Sequence, residues 1–357
     1  MALVCFSNFS SRQLEDQKVG LHHKAKHRFK PSRSPTLSNH PRTMIEIRNL
    51  SKSYGAFKAL DDLSLSIAKG EIFGFIGPNG AGKSTTIKIL TGLLQPTSGE
   101  ATIDNIDCRS GSKELRLKVG YMPDNFGVYN DLNVWEYLDF FCAAYRISKK
   151  DRKGTIERVL EITASMRIKD FKMGALSKGM KQKAGLAKTL LHDPEVVILD
   201  EPSSGLDPRA RIEMRELIRK LKSMDKTVMV SSHILSELAD ISDQIGILEK
   251  GVLLAAGTVE EVMETVRQEL NYECEVIGDP TRCAKALTLI EKKGLINSIE
   301  QMASLFSFNL KEGDPEIASR VLQLLVKNGI SLKAFRPVEA DLEEVFMQVT
   351  QQHGNES

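Results

Sequence analysis

The chain has 357 residues, of which 41% are hydrophobic and 27% charged, and its net charge at pH 7 is only +2. This length predicts about two globular domains, and the small net charge gives no bulk basicity for binding nucleic acid. The five cysteines include no CxxC pair, so we expect reduced thiols without a zinc site. No stretch reaches the roughly 18 to 20 apolar residues of a membrane span. Any function at a membrane would therefore require a second chain.

Residues 1–43 form a basic leader without hydrophobic periodicity, in which Glu15 and Asp16 are the acids. Such a composition predicts disorder. The leader is either an organellar targeting segment, being acid-poor and rich in Ser and Arg, or an extension upstream of a start at Met44. Residues 351–357 are assigned to a tail. The basic residues of the leader are Arg12, Lys18, Lys24, Lys26, Arg28, Lys30, Arg33 and Arg42.

The folded part begins at Met44 with strand patterns. The segment "LDDLSLSI" alternates with period two, and "EIFGFIG" is a compact apolar strand that runs into glycine and then a helix. Residues from about 125 to 192 carry apolar side chains at helical spacing, which predicts a helical insert. Two more buried strands, "VVILD" and "TVMVSS", enclose a helix at about 208–224, and "QIGILEKGVLLAAG" predicts a hairpin that turns at Lys250. We therefore predict an α/β domain over 44–257.

The pattern changes after Gly257. Residues 258–350 read as helix, strand, helix, strand, strand, helix, strand, helix. Their central part is a β-α-β-β-α-β unit, which predicts a small α+β, ferredoxin-like C-terminal domain. The predicted strands are "NYECEVI", "INSIEQM", "LFSFNL" and "ISLKAFRPV".

The segment "GPNGAGKST" matches the phosphate-loop pattern GxxxxGK[ST]. Its glycines allow a tight turn whose N–H groups point at phosphate oxygens, and the following helix start adds a positive dipole end. Lys83 would reach the β- and γ-phosphates, and the Ser84 hydroxyl would bind Mg²⁺. A strand before and a helix after the loop argue against a chance match. The candidate nucleotide-binding residues here are Gly77, Pro78, Asn79, Gly80, Ala81, Gly82, Lys83, Ser84 and Thr85.

Polar residues follow the two other buried strands. Asp200 and Glu201 end "VVILDEP", and His233 follows "TVMVSS". Parallel strands deliver functional groups at their carboxyl ends, beside the phosphate loop. Asp200 would hold Mg²⁺ through water, and Glu201 would orient or deprotonate the attacking water. His233 is either a sensor of the γ-phosphate or an ordinary polar residue, and both interpretations remain open.

These motifs, in this order, resemble the ATP-binding cassette (ABC) ATPases. "LSKGMKQ" looks like the family signature LSGGQ, and "SSGLDP" looks like the loop after the second phosphate motif. Under the resemblance, His233 is the switch histidine and Tyr54 the aromatic that stacks on adenine. The resemblance covers 44–350 and is strongest to the ATPases of ABC-2 type exporters. It implies a P-loop NTPase cassette with a mixed central sheet, an antiparallel β subdomain and a helical insert.

The chain departs from the family pattern at three positions. Asp124 stands where the family has a glutamine that senses Mg²⁺ and the attacking water, so its metal role is uncertain. Lys178 replaces the first glycine of the signature, and it either contacts a phosphate or points to solvent. Met180 replaces the terminal glutamine, whereas Ser177 and Gly179 are kept.

The resemblance implies that ATP and Mg²⁺ bind between two cassettes, in a homodimer or a pair with a homologous subunit. Ser177 and Gly179 of one chain would cover the γ-phosphate held by the other, and Ser84, Asp200 and Asp124 would bind the metal. The chain would hydrolyse ATP on the cytoplasmic side of a membrane and drive a separate permease.

Seven side chains of the helical insert are large and apolar: Phe126, Val128, Tyr129, Trp135, Tyr137, Phe140 and Phe141. Most are expected in the core. Phe126 and Tyr129 are candidates to line a groove for a helix of the permease. The alternatives are a soluble ABC-type ATPase acting on nucleic acid or ribosomes, and a metabolic kinase or GTPase. The first usually carries a second cassette or basic insertions, and the second leaves the signature unexplained.

Overall fold

The computed structural model describes residues 42–266, 271–310 and 315–337. The predictions for most of the leader, for the last helix of the C-terminal domain and for the tail fall outside these residues. Within them, no helix is long and apolar enough to cross a bilayer. The four cysteines of this part, Cys108, Cys142, Cys274 and Cys283, are free and buried.

An antiparallel sheet opens the fold, with strand order β2-β1-β4-β5. The alternation of "LDDLSLSI" has the predicted effect, because Leu63, Leu65 and Ile67 are buried while Ser64 and Ser66 are exposed. Its strands are β1 (Thr43–Tyr54), β2 (Phe57–Ala68), β4 (Ser98–Ile103) and β5 (Ile106–Asp107); β3 (Ile72–Ile76) leaves it for the next sheet.

The central sheet has strand order β10-β9-β3-β8-β7-β6, parallel except for β10. Every residue of β3 and β7 is buried, as expected for parallel strands covered on both faces. The carboxyl ends of β3, β7 and β8 therefore meet at one edge. The remaining strands are β6 (Val119–Met122), β7 (Val196–Leu199), β8 (Thr227–Ser232), β9 (Gln244–Glu249) and β10 (Val252–Gly257).

Helices flank these two sheets. The predicted insert contains α3, α4 and α5, and α3 begins with a capping box in which Asn133 and Glu136 bond each other's backbone N–H at 2.8 and 2.9 Å. Helix α2 was not predicted. The helices are α1 (Lys83–Leu90), α2 (Lys113–Lys118), α3 (Val134–Ala144), α4 (Lys149–Ile162), α5 (Lys178–Thr189), α6 (Pro208–Ser223) and α7 (Leu235–Ala239).

The C-terminal part is the predicted β-α-β-β-α-β unit. Its antiparallel sheet has order β12-β13-β11-β14, and its buried residues form a core cluster of their own, which includes Phe306, Phe308 and Leu325. Its elements are β11 (Asn271–Ile277), α9 (Pro280–Lys292), β12 (Ile296–Met302), β13 (Leu305–Leu310), α10 (Pro315–Lys327) and β14 (Ser331–Pro337). The preceding helix α8 (Val259–Val266), predicted as part of this domain, instead contributes Val262 to the core cluster of the central sheet and its helices.

Candidate functional site

The phosphate loop lies between β3 and α1, as its sequence predicts. Gly82 has a φ of 110°, which strongly favours glycine. Gly77 is required for a different reason, because a Cβ there would lie 2.3 Å from the carbonyl oxygen of Leu248 on β9. The loop is thus packed against a neighbouring strand, and Gly251 also donates its N–H to the carbonyl of Ala81 at 2.8 Å.

Lys83 is the buried cation of the site, with a side chain only 6% exposed. Its Nζ donates to the carbonyl oxygens of Gly77 at 2.5 Å and Pro78 at 3.3 Å. The same Nζ lies 3.2 Å from Oε1 of Glu201, whose side chain is 14% exposed. The loop lysine and the candidate base therefore meet in one chain and form a mostly buried ion pair.

Glu201 is held at both ends of its carboxylate. Oε2 lies 2.8 Å from Nδ1 of His233, while Oε1 faces Lys83 but accepts no hydrogen bond. Its backbone has a φ of 50°, the left-handed region that costs a non-glycine residue about 1 to 3 kcal/mol. Strain of this kind clusters at functional sites. The structure thus places Glu201 against Lys83 of the phosphate loop, and His233 against Glu201.

Ser231 connects the two acids and was not predicted as a site residue. Its hydroxyl donates to Oδ1 of Asp200 at 2.7 Å and accepts from the N–H of Glu201 at 2.9 Å. The parallel register of β7 and β8 pairs Leu199 with Val230, so the next residues of the two strands meet. Ser231 could be identified from the sequence only if the register of β7 and β8 were known, because the register places it opposite the acid pair.

An open cleft lies over the phosphate loop, and two aromatic residues border it. Tyr54 and Phe57 are exposed cross-strand partners at the turn between β1 and β2, and Nζ of Lys52 lies 5.1 Å from the centroid of the Tyr54 ring. Phe57 and Ala59 were not predicted. The cleft is lined by Tyr54, Phe57, Ala59, Pro78, Asn79, Gly80, Gly82, Lys83, Ser84, Thr85, Asp124 and Glu201.

Some predicted residues lie outside this lining. Asp200 is 4% exposed and lies behind Glu201, next to Ser231. Burial raises the pKa of Tyr121 to about 12, and the negative charges of Asp200 and Asp124 contribute to this rise. Gly77 and Ala81 belong to the loop, and His233 reaches the site through Glu201.

The signature residues Ser177 and Gly179 do not line this chain's cleft. The Ser177 side chain accepts from the N–H of Met180 at 3.3 Å and caps α5. A Cβ at Gly179 would lie 3.1 Å from Cβ of Ala210, at the start of α6. A Cβ here would therefore be tightly packed against α6, which favours glycine in addition to the predicted need for close backbone approach to phosphate.

Lys178 is exposed, and the end of its side chain lies over a loop of the same chain. A Cβ built on Gly205 would lie 2.4 Å from Nζ of Lys178, and Gly205 itself has a φ of 64°. The side chain thus packs on the loop that follows Glu201, an arrangement that neither sequence interpretation included. The structure therefore adds a contact between the signature and this loop.

Comparison with known proteins identifies the family. A model described as ABC transporter matches residues 60–204. The bacitracin transport ATP-binding protein BcrA of Bacillus licheniformis is 35% identical over 312 residues, which are 86% of this chain and 97% of BcrA. The chain belongs to the family of ABC transporter ATP-binding proteins. It is accordingly an ABC ATPase, and the predicted fold class, family and enzymatic activity are confirmed.

Other members of the family extend this result. An ABC transporter ATP-binding protein of Synechocystis is 40% identical over 208 residues, which are 58% of each chain. The Nod factor export ATP-binding protein I of Burkholderia orbicola is 33% identical, over 86% of this chain and 96% of that protein. One similar solved structure is a dimeric ATP-binding cassette in a post-hydrolysis state, bound to ADP and Pi. It is 28% identical with a TM-score of 0.55, and the match covers 60% of this ABC ATPase and 99% of that cassette.

Proposed function

We propose that this chain is the energy-coupling subunit of an ABC exporter, which closes as a dimer on two ATP molecules and drives a separate permease. The support is the extent of the similarity to BcrA and to the Nod factor export protein, whose names describe transport. Both alignments cover 86% of this chain and nearly all of the relative. They therefore extend beyond the region that the family model matches, 60–204.

The observation that carries the dimer proposal is the division of the motifs within one chain. The phosphate loop, Glu201 and His233 meet at the cleft, whereas Ser177 and Gly179 do not line it. The start of a helix attracts anions through its free N–H groups and its dipole. The phosphate that this helix start would bind must then come from ATP held by a second chain. The solved dimeric cassette with ADP and Pi supports such an arrangement.

Each residue of the cleft has a proposed role in hydrolysis. Tyr54 stacks on adenine, the N–H groups of the phosphate loop bind the phosphates, and Lys83 neutralises their charge. Glu201 accepts the proton of the attacking water, and His233 keeps the carboxylate in position through its 2.8 Å contact. Transfer of Lys83 from the Glu201 carboxylate to the phosphates would leave the base free to act.

The oxygen donors near the cleft fit Mg²⁺, which prefers carboxylate and hydroxyl oxygens and is bound together with substrate phosphates. Ser84 and Asp124 line the cleft, and Asp200 directly precedes Glu201, which also lines it. Within the described residues no cluster of three or more acidic, histidine or cysteine side chains could hold a metal alone. Mg²⁺ would supply charge neutralisation at the transferred phosphate, with Ser84 as a direct ligand and Asp200 and Asp124 holding the ion through water.

The aromatic surface of the insert is the proposed docking site for the permease. Tyr129 and Phe140 are exposed and their ring centroids lie 5.4 Å apart, whereas Phe126 is half-buried against Gly185. Most of the seven side chains lie in or against the core, as expected, and Phe140 is exposed beside Tyr129. Nζ of Lys188 lies 5.7 Å from the Phe126 ring centroid, which adds a cation to this surface.

The domain division at 257/258 is retained as a proposal. The separate core cluster of the C-terminal part supports a second domain, whereas Val262 of α8 packs in the core of the first. The Synechocystis relative, whose alignment covers only 58% of this chain, is compatible with a module added to a shared cassette. Attachment to a membrane would occur through the permease.

A mixing experiment tests the two-chain site. Lys83→Ala removes the phosphate-loop cation, and Ser177→Arg blocks the signature helix. Each variant alone should be inactive, because both sites of its homodimer lack one half. A mixture forms heterodimers in which the Ser177→Arg phosphate loop faces the intact signature of the Lys83→Ala chain. Recovery of ATPase activity only in the mixture is expected, together with an ATP-dependent increase in mass. ATPase activity in either variant alone as high as in the mixture would contradict the shared site.

A further inference from the structure

We propose that Ser231 is a positioning residue that sets the metal-binding acid and the catalytic base at the same time. This inference rests on the proposed roles of Asp200 and Glu201. Ser231 itself touches neither substrate nor metal. It lies on β8, adjacent to the strand that carries both acids, and no motif of the sequence assigns it a role.

The geometry gives the hydroxyl of Ser231 one defined orientation. A serine hydroxyl has a single proton to donate, and here it goes to Oδ1 of Asp200 at 2.7 Å. A lone pair of the same oxygen accepts the N–H of Glu201 at 2.9 Å. Ser231 is fully buried, so water does not compete for either bond. The side chain therefore joins a carboxylate and the following peptide group through one atom.

Both partners need this atom. The turn at Glu201 has a left-handed φ of 50°, and its N–H would lose its protein acceptor without the Ser231 oxygen. Asp200 is 4% exposed, and Ser231 is the one side-chain donor that reaches its carboxylate within the described ranges 42–266, 271–310 and 315–337. With Oδ1 fixed by Ser231, Oδ2 remains available to hold a metal-bound water. Loss of the hydroxyl would release the metal ligand and the base together.

Ser232 provides a matched control one residue further along β8. It is also buried, and its hydroxyl accepts from the N–H of Ile234 at 3.0 Å and bonds Glu237 at 3.2 Å. These bonds do not reach the acid pair. Ser232→Ala therefore removes the same number of atoms from the same strand without touching Asp200 or Glu201.

The experiment compares Ser231→Ala, Ser231→Thr and Ser232→Ala in the full chain. Outer-shell partners of metal ligands typically contribute about 10- to 100-fold, so kcat should fall by about that factor in Ser231→Ala. KM for ATP should change little, since the phosphate loop and Tyr54 are intact. Ser231→Thr, which keeps the hydroxyl, should recover most of kcat. Ser232→Ala should stay near the wild type, and thermal unfolding should confirm that every variant is folded.

A second readout does not depend on turnover. Mn²⁺ is titrated by electron paramagnetic resonance with a non-hydrolysable ATP analogue bound. Its affinity should fall about tenfold or more in Ser231→Ala and stay unchanged in Ser232→Ala. The nucleotide affinity measured without metal should be the same in all variants.

Three results would overturn the inference: unchanged kcat and Mn²⁺ affinity in Ser231→Ala, an equal loss in Ser232→Ala, or no recovery in a folded Ser231→Thr. Failure of the proposed function would look different. In that case the wild-type chain would neither hydrolyse ATP nor bind the Mn²⁺–nucleotide complex.

Discussion

Replacement of Glu201 by glutamine should affect both turnover and the stability of the nucleotide-free chain. The substitution keeps the size of the side chain and a hydrogen-bonding group for His233. It removes the negative charge that lies 3.2 Å from Nζ of Lys83. The variant therefore separates the role of Glu201 as a base from its role as the counter-ion of a buried lysine.

Both effects can be given a size. Loss of a general base typically slows turnover by ~10²–10⁴, which corresponds to about 3 to 5 kcal/mol of barrier. Removing one partner of a buried ion pair typically costs about 3 to 5 kcal/mol. Lys83 keeps its hydrogen bonds to the carbonyl oxygens of Gly77 and Pro78, so we expect the lower end of this loss of stability, about 3 kcal/mol. For a domain of this size that predicts a Tm lower by roughly 6 to 12 °C without nucleotide.

ATP should reduce the loss of stability, because its phosphates replace the missing charge at Lys83. The assays are steady-state ATPase and thermal unfolding with and without ATP. Glu213→Gln is the control, since it breaks a pair outside the cleft in which Oε2 lies 2.6 Å from Nζ of Lys183. That variant should lose stability equally with and without ATP and should keep its turnover. Near-normal turnover in Glu201→Gln, or a Tm loss that ATP does not reduce, would refute the reasoning.

Three further predictions test other parts of the molecule. Tyr54→Ala should weaken ATP binding by at least about fivefold, because stacking of a base on an aromatic ring contributes about 1 to 3 kcal/mol. Phe57→Ala, at the same edge of the cleft, should weaken ATP binding less. Titration with a fluorescent nucleotide measures both affinities. Lys178→Gly should leave the salt dependence of ATP-driven dimerisation unchanged, since the ammonium packs on Gly205. Burial lowers the pKa of His192 below its usual 6.5, so the unfolded chain binds the proton first and stability is lost as pH falls below 6.5. Urea unfolding between pH 7.5 and 5 should show a smaller loss in His192→Gln.

The sequence predicted the parts of the site that are contiguous in the chain. The phosphate loop needs particular residue types at fixed spacing, and the strand–loop–helix context fixes its shape, so Lys83 and Ser84 could be placed without a structure. Strand-end acids such as Glu201 could be placed because parallel strands end at one edge. The order of strands and helices along the C-terminal part could likewise be predicted from the spacing of its apolar residues.

The parts that were missed depend on tertiary register. Ser231 acts only because β7 and β8 align so that it lies beside Asp200, and a serine in a buried strand gives no signal of that by itself. Phe57 borders the cleft because the turn after Tyr54 is only two residues long. The exposure of Phe140 depends on how α3 packs, which helical spacing alone does not determine.

The two halves of the proposed shared site are in contact within one chain. Lys178, at the start of α5, packs on Gly205, and Ser204 donates its N–H to the carbonyl of Glu201 at 3.1 Å. The start of α5, which would meet the ATP of a second chain, therefore contacts the loop that follows Glu201 of its own chain. A substitution in the signature can disturb Glu201 directly as well as weaken contact with the partner's ATP. The activity of a single signature variant cannot distinguish these effects, whereas heterodimers separate them because each site takes its base and its signature from different chains.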